Sequence, residues 1–351
     1  MTVVRVVDLR SDTVTLPTEE MLEAIRYAKL GDDVYREDPT VNRLEEIAAQ
    51  KMGKERALLV TSGTQGNLVS VMSHTKRGDE VILEADSHTY RFEVGGLAAI
   101  GGLMARPIKG RMGIIDPRDV ESAIRPKNIH CPETTLVCLE NTHNRAGGTV
   151  VSPRQIKAIW EVAKKHDLAV HMDGARIFNA AIALNIDVKD LTKNVDSVMF
   201  CLSKGLSCPI GSLVVGSQEF VEKTRRWRKM IGGGMRQAGI IAAPGIIALE
   251  KMIDRLRDDH RNALILAEKL AKTEGVSTDL ERVQTNIVIF DVHDLGVTSG
   301  EFLRKLGENG VKALAIGKTS IRIVTHRGIE REDIEYTINS IDAVIDSLRK
   351  Q

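Results

Sequence analysis

The chain has 351 residues, 42% of them hydrophobic, and carries 49 Lys and Arg against 48 Asp and Glu. That length buries more than one small layer, so one large domain and one smaller are expected. With a formal net charge of +1 and no segment concentrating one sign, the field of a nucleic-acid or acidic-membrane binder is missing, which favours small-molecule chemistry.

Arg5 and Asp8 interrupt the apolar run of the N-terminus, MTVVRVVDLRSD, so no export signal is expected. No stretch approaches the roughly 18 uncharged apolar residues of a membrane span. Cys131, Cys138, Cys201 and Cys208 form no CxxC pair. Usage this sparse points to reduced thiols in a cytoplasmic protein, not to a disulfide framework.

In chain order, short apolar runs at 57–60, 80–83, 135–139, 168–172, 197–201 and 213–215 predict buried strands. Between them lie segments of helical period, such as 153–166 with Ile156, Ile159, Trp160 and Ala163 on one face. Repeated β-α units give an α/β fold, a mostly parallel sheet flanked by helices, over residues 1–250. Beyond about 250 the pattern changes to a long charged helix (246–273), a strand (286–292), a helix (299–309), a strand (320–325) and a closing helix (331–349). This predicts a smaller α+β domain over 251–351. No internal repeat or low-complexity linker is visible, so the domains are expected to share an interface whose cleft suits a substrate.

Ligands of such sheets bind outside the carboxyl ends of the strands, which directs attention to three motifs. Thr61-Ser62-Gly63-Thr64-Gln65-Gly66-Asn67 follows one predicted strand and opens a helix. Its small residues let backbone N–H groups and the Thr64 hydroxyl approach a phosphate at a helix N-terminus, although a plain tight turn reads the same way. It is not a Walker loop, since no GK[ST] follows. In His171-Met172-Asp173-Gly174-Ala175-Arg176 an acid closes another strand. It suits a protonated pyridine nitrogen, or equally the cap of the next helix. In Met199-Phe200-Cys201-Leu202-Ser203-Lys204-Gly205 a lysine follows a third strand, as a Schiff-base amine or as an ordinary surface lysine. Phosphate turn, acid and lysine in that order form a conjunction more specific than any member.

The whole chain from Asp8 onward resembles the L-threonine aldolases, enzymes of fold type I that depend on pyridoxal 5'-phosphate (PLP). The resemblance rests on the runs DLRSDTVT (8–15), GDDVY (31–35), EADSH (84–88), ENTHN (140–144), DGAR (173–176), SKG (203–205) and GGGMRQ (232–237). It implies the PLP-dependent transferase-like fold and cleavage of L-threonine, L-allo-threonine and related 3-hydroxy amino acids to glycine and an aldehyde. It also implies a homotetramer with active sites at subunit interfaces. By the same resemblance Lys204 is the Schiff-base lysine, Asp173 pairs with the pyridine nitrogen and His88 stacks on the ring. Gly63 and Thr64 hold the phosphate with Arg236 from a neighbouring subunit, and Ser11, Arg176 and Arg322 bind the substrate carboxylate. His130 and Lys229 lie towards the substrate hydroxyl.

His88 and His130 are both candidates for the base that takes the hydroxyl proton. In the family the stretch at Thr89-Tyr90-Arg91-Phe92 varies and helps shape the pocket around the β-substituent, which leaves the preference at Cβ open. Rival readings are another PLP reaction on the same scaffold, such as β-elimination, transamination or hydroxymethyl transfer, and a non-catalytic PLP-binding protein. No metal is expected, since no HExxH-like ligand spacing occurs.

Overall fold

All six predicted apolar runs are strands of one seven-stranded sheet in the computed structural model, which describes residues 5–350. The strands are β1 (Arg56–Val60), β2 (Glu80–Glu84), β3 (Met104–Ile108), β4 (Thr134–Glu140), β5 (Ala169–Asp173), β6 (Ser197–Cys201) and β7 (Ser212–Gly216). Their order across the sheet is β1-β7-β6-β5-β4-β2-β3, and β7 alone runs against its neighbours. The strand missed by sequence, β3, is an edge strand reading MARPI, with Met104 and Ala105 exposed. An edge strand tolerates proline and needs no apolar run, so its pattern is weak.

Helices cover the sheet. The one predicted at 153–166 is Pro153–Lys165, and its start shows why: Ser152 and Gln155 form a reciprocal capping box with proline at the first position. Ile156, Ile159 and Ala163 are buried, as the period requires. This unit comprises residues 16–146 and 150–253.

The second unit contains the described residues up to Thr15, Gly147–Thr149 and everything from Asp254 onward. Its four-stranded antiparallel sheet has β8 (Ile287–Asp291) and β9 (Ser320–Val324) at the centre, flanked by Ser277–Thr278 and Leu314–Ala315. The described residues up to Thr15, which the sequence places with the large domain, belong to this unit. Val7–Asp8 pairs in parallel with Val311–Lys312, Leu9 is fully buried in this unit's core, and the Val324 N–H donates to the Leu9 carbonyl at 2.9 Å. A two-residue strand has no period of its own, and only its partner reveals it.

The single helix predicted over 246–273 is two, Gly239–Lys251 and Leu256–Leu270. The break falls where the chain passes from one unit to the other, at Ile253 and Asp254. Past it, Ala263, Leu266, Ala267 and Leu270 face the core of the second unit.

Candidate functional site

Because β1, β2, β4, β5 and β6 run the same way, the residues that follow them emerge at one edge of the sheet. The helix α1 (Gly63–His74) starts there, capped by the Ser62 side chain on the Gln65 N–H. Its glycines are steric requirements. A Cβ on Gly66 would lie 2.6 Å from Met199 Cγ, and one on Gly63 would lie 3.0 Å from Cys201 Sγ. The positive end of α1 is thus set directly against the end of β6, with Thr64 exposed. Lys204, half-buried, lies three residues beyond β6.

Asp173 ends β5, the neighbour of β6, and is 4% exposed. Its Oδ1 accepts from the Ala175 N–H at 3.0 Å and its Oδ2 from Asn67 Nδ2, on α1, at 2.9 Å. The same Asn67 nitrogen donates to Glu93 Oε1 at 2.8 Å, and Glu93 Oε1 lies 3.1 Å from His88 Nδ1. One ring nitrogen of His88 and one carboxylate oxygen each of Glu93 and Asp173 all fall within 4.8 Å of one another, a grouping that sequence spacing hides. The hydrogen bond to Glu93 raises the pKa of His88 above its ordinary value, and Asp173 and Glu140 add to it. Burial raises that of Glu93. Phe92 packs beside the His88 ring, centroid to centroid 5.7 Å.

Arg176, buried, precedes the helix Ile177–Leu184 three residues after Asp173. The structure therefore gathers Gly63, Thr64, His88, Asp173, Arg176 and Lys204 at one edge. Ser11 and Arg322 belong to the second unit and are neighbours within it. Arg322, central on β9, donates from Nη2 to the carbonyl of Arg10 at 3.2 Å. His130 lies elsewhere. It is exposed on the loop before β4, a loop bordered by His166 and Asp167 before β5, at the opposite, amino-terminal edge of the sheet. Within one chain nothing brings it to Asp173. Lys229, exposed near the end of α2 (Gln218–Met230), packs on Gly234.

Two of the family-like runs turn out to lock together. Asp33 in GDDVY forms a buried ion pair with Arg228, Nη2 to Oδ2 2.6 Å, with side chains only 6% and 2% exposed. Asp32 pairs with the exposed Arg236 at 2.9 Å, and the Asp33 N–H donates to the Arg236 carbonyl. Arg228→Ala strands the Asp33 carboxylate and should destabilise the protein by about 3–5 kcal/mol. The denaturant midpoint reports this, and an unchanged midpoint contradicts it. Sequence reading did not single out Glu93 or give Asn67 a role. The signal for Asn67 was present, since it stands one helical turn beyond Gly63 on the strand-facing side of α1; Glu93 offered none.

The family model for beta-eliminating lyase matches residues 8–294. Low-specificity L-threonine aldolase 1 of Arabidopsis thaliana is 46% identical over 342 residues, covering 96% of each chain. The low specificity L-threonine aldolase of Escherichia coli K12 is 43% identical over 330 residues, covering 93% of this chain and 96% of its own. Among solved structures, the Leishmania major threonine aldolase superposes with a TM-score of 0.79 over 98% of both chains at 17% identity, a likeness of fold. The chain belongs to the beta-eliminating lyase family and, among the PLP-dependent enzymes of fold type I, to the low-specificity L-threonine aldolases.

Proposed function

We propose that the protein is a PLP-dependent aldolase that cleaves L-threonine, L-allo-threonine and related 3-hydroxy amino acids between Cα and Cβ. The products are glycine and an aldehyde, acetaldehyde in the case of threonine. The observation that carries this reading is the buried Asp173 carboxylate, held as an acceptor at the end of a central strand next to the strand that leads to Lys204.

These residues fit the cofactor. A buried acid whose two oxygens both accept N–H hydrogen bonds suits a ring nitrogen that must stay protonated, and the close seat of α1 against β6 offers N–H groups to a phosphate. When bound, PLP supplies an electron sink conjugated to the substrate's Cα. Lys204 would hold it through its amine between turnovers, and Asp173 would favour a proton on its nitrogen. Gly63 and Thr64 would receive its phosphate, with Arg236 contributed by a neighbouring subunit of a homotetramer, and His88 would contact its ring. Arg176, Ser11 and Arg322 fix the substrate carboxylate, for which a guanidinium fork is the matching partner, and so choose the Cα bond that breaks. Lys229 stands towards the substrate hydroxyl.

For the base, the geometry favours His88. With Nδ1–H directed to Glu93, its Nε2 is the bare nitrogen that takes the β-hydroxyl proton. His130, at the far edge of its own sheet, serves only in a neighbour's site. Glu93→Gln removes the hydrogen-bonding charge that raises His88. A base works unprotonated, so activity falls as pH drops through its pKa, and lowering that pKa should move the acid limb of kcat/KM to lower pH while costing about tenfold in rate. An unmoved limb counts against His88 as base.

The sparse, free cysteines support a cytoplasmic setting. Among the described residues no helix is long and apolar enough to cross a membrane. The absorbance of the purified protein between about 300 and 550 nm tests the central claim, because lysine-bound PLP absorbs in the visible. A band that shifts when glycine is added supports it, and a protein that stays colourless after PLP is supplied overturns it. Product analysis with threonine then separates cleavage, which yields acetaldehyde and glycine, from β-elimination, which yields ammonia and a keto acid.

A further inference from the structure

A chain of buried polar groups runs behind the site, from the far end of α1 to Asp173. His74 Nε2 is 2.7 Å from Ser197 Oγ, Ser197 Oγ is 2.8 Å from His171 Nδ1, and His171 Nε2 is 3.2 Å from Asn67 Oδ1. Ser197, His171 and Asn67 are each no more than 1% exposed. The proposed mechanism uses none of the three.

Donor counting fixes every proton along this chain. An amide has two N–H donors and one oxygen acceptor. Both donors of Asn67 are claimed by carboxylates, Asp173 Oδ2 at 2.9 Å and Glu93 Oε1 at 2.8 Å, so its oxygen must accept. His171 Nε2 therefore carries a proton. Burial holds the pKa of His171 near 3 and that of His74 near 4, so both rings are neutral at ordinary pH. His171 Nδ1 is then bare and accepts the Ser197 hydroxyl proton, and Ser197 Oγ in turn accepts from His74 Nε2. The opposite amide orientation would set an oxygen against two carboxylates with no proton between them, a costly arrangement in a buried place.

We infer that Asn67 is a positioning residue for the reaction: the chain His74–Ser197–His171 fixes which way its amide points, and that amide delivers one proton each to Asp173 and Glu93. Two carboxylates are thereby held side by side as acceptors without sharing a proton. One faces the cofactor nitrogen and the other sets the tautomer of His88, so a single side chain ties the two halves of the chemistry together. The inference rests on the proposed roles of Asp173 and His88, while the proton positions it requires do not.

Neutron diffraction from crystals of the deuterated protein tests those positions directly. Deuterium on Nε2 of both His171 and His74, with His171 Nδ1 bare, is expected; deuterium on His171 Nδ1 with Nε2 bare overturns the inference. In solution, Asn67→Ala should raise the dissociation constant of PLP about tenfold and lower kcat about tenfold, with KM for threonine changed less than about threefold. Ser197→Ala, which cuts the chain two groups away, should lower kcat about threefold in protein that circular dichroism shows to be folded. Ser197→Thr, which keeps a hydroxyl, should recover most of that loss. A folded Asn67→Ala protein with wild-type PLP affinity and kcat, or a Ser197→Ala protein no slower than Ser197→Thr, overturns it. Failure of the wild-type protein to bind PLP or cleave threonine would instead refute the proposed function and leave the deuterium positions to be judged alone.

Discussion

Lys204→Ala is expected to remove the visible absorbance of lysine-bound PLP and to lower turnover of threonine by about a thousandfold or more. The lysine sits half-buried past the end of β6, beside the strand that ends in Asp173. Alanine at this half-buried position beyond the strand leaves the core of β6 intact, so the melting temperature of the cofactor-free protein should stay close to wild type. PLP should still bind, through the start of α1 and Asp173, but more weakly and without the covalent link. Borohydride reduction distinguishes the cases: wild type should retain the cofactor irreversibly and the variant should release it. Substantial turnover by the variant, or covalent trapping despite the substitution, would refute the assignment of Lys204.

Asp173→Asn is the second substitution of large effect. It is nearly isosteric, yet each oxygen of Asp173 accepts from a donor, the Ala175 N–H on one side and Asn67 Nδ2 on the other. Whichever way an asparagine amide turns, its NH2 group faces one of those donors. The neutral side chain also withdraws the charge that keeps the ring nitrogen protonated. A loss on the order of 100- to 1,000-fold in kcat is expected, the range found when one preorganised electrostatic partner of a transition state is removed. Stability should respond differently. Asp173 and Glu93 repel one another, and this repulsion contributes to the raised pKa of Glu93. Removing one of the two charges offsets the lost hydrogen bond, so the unfolding midpoint should change little. Turnover within about threefold of wild type would show that Asp173 does not hold the cofactor nitrogen, whatever its place in the fold.

Much of this molecule was legible in its residues. Six apolar runs became six strands: five are central, buried on both faces and so continuously apolar, and the sixth, the edge strand β1, is buried from Ala57 to Val60 all the same. The helix Pro153–Lys165 announced itself by its period, and Asp173 and Lys204 stood out because charged residues at or just past the ends of buried strands point to the edge where parallel sheets bind ligands. Positions decided by contacts distant in sequence were not legible. The pairing of Val7–Asp8 with Val311–Lys312 and the break between Gly239–Lys251 and Leu256–Leu270 depend on partners hundreds of residues away or on which core a face must cover. So does the meeting of Asn67, Glu93 and Asp173, brought together from α1, the segment after His88 and the end of β5. Local pattern determines what an element is and which residues end it. Only packing decides which side chains meet there, because hydrogen bonds between distant residues leave no period in the sequence.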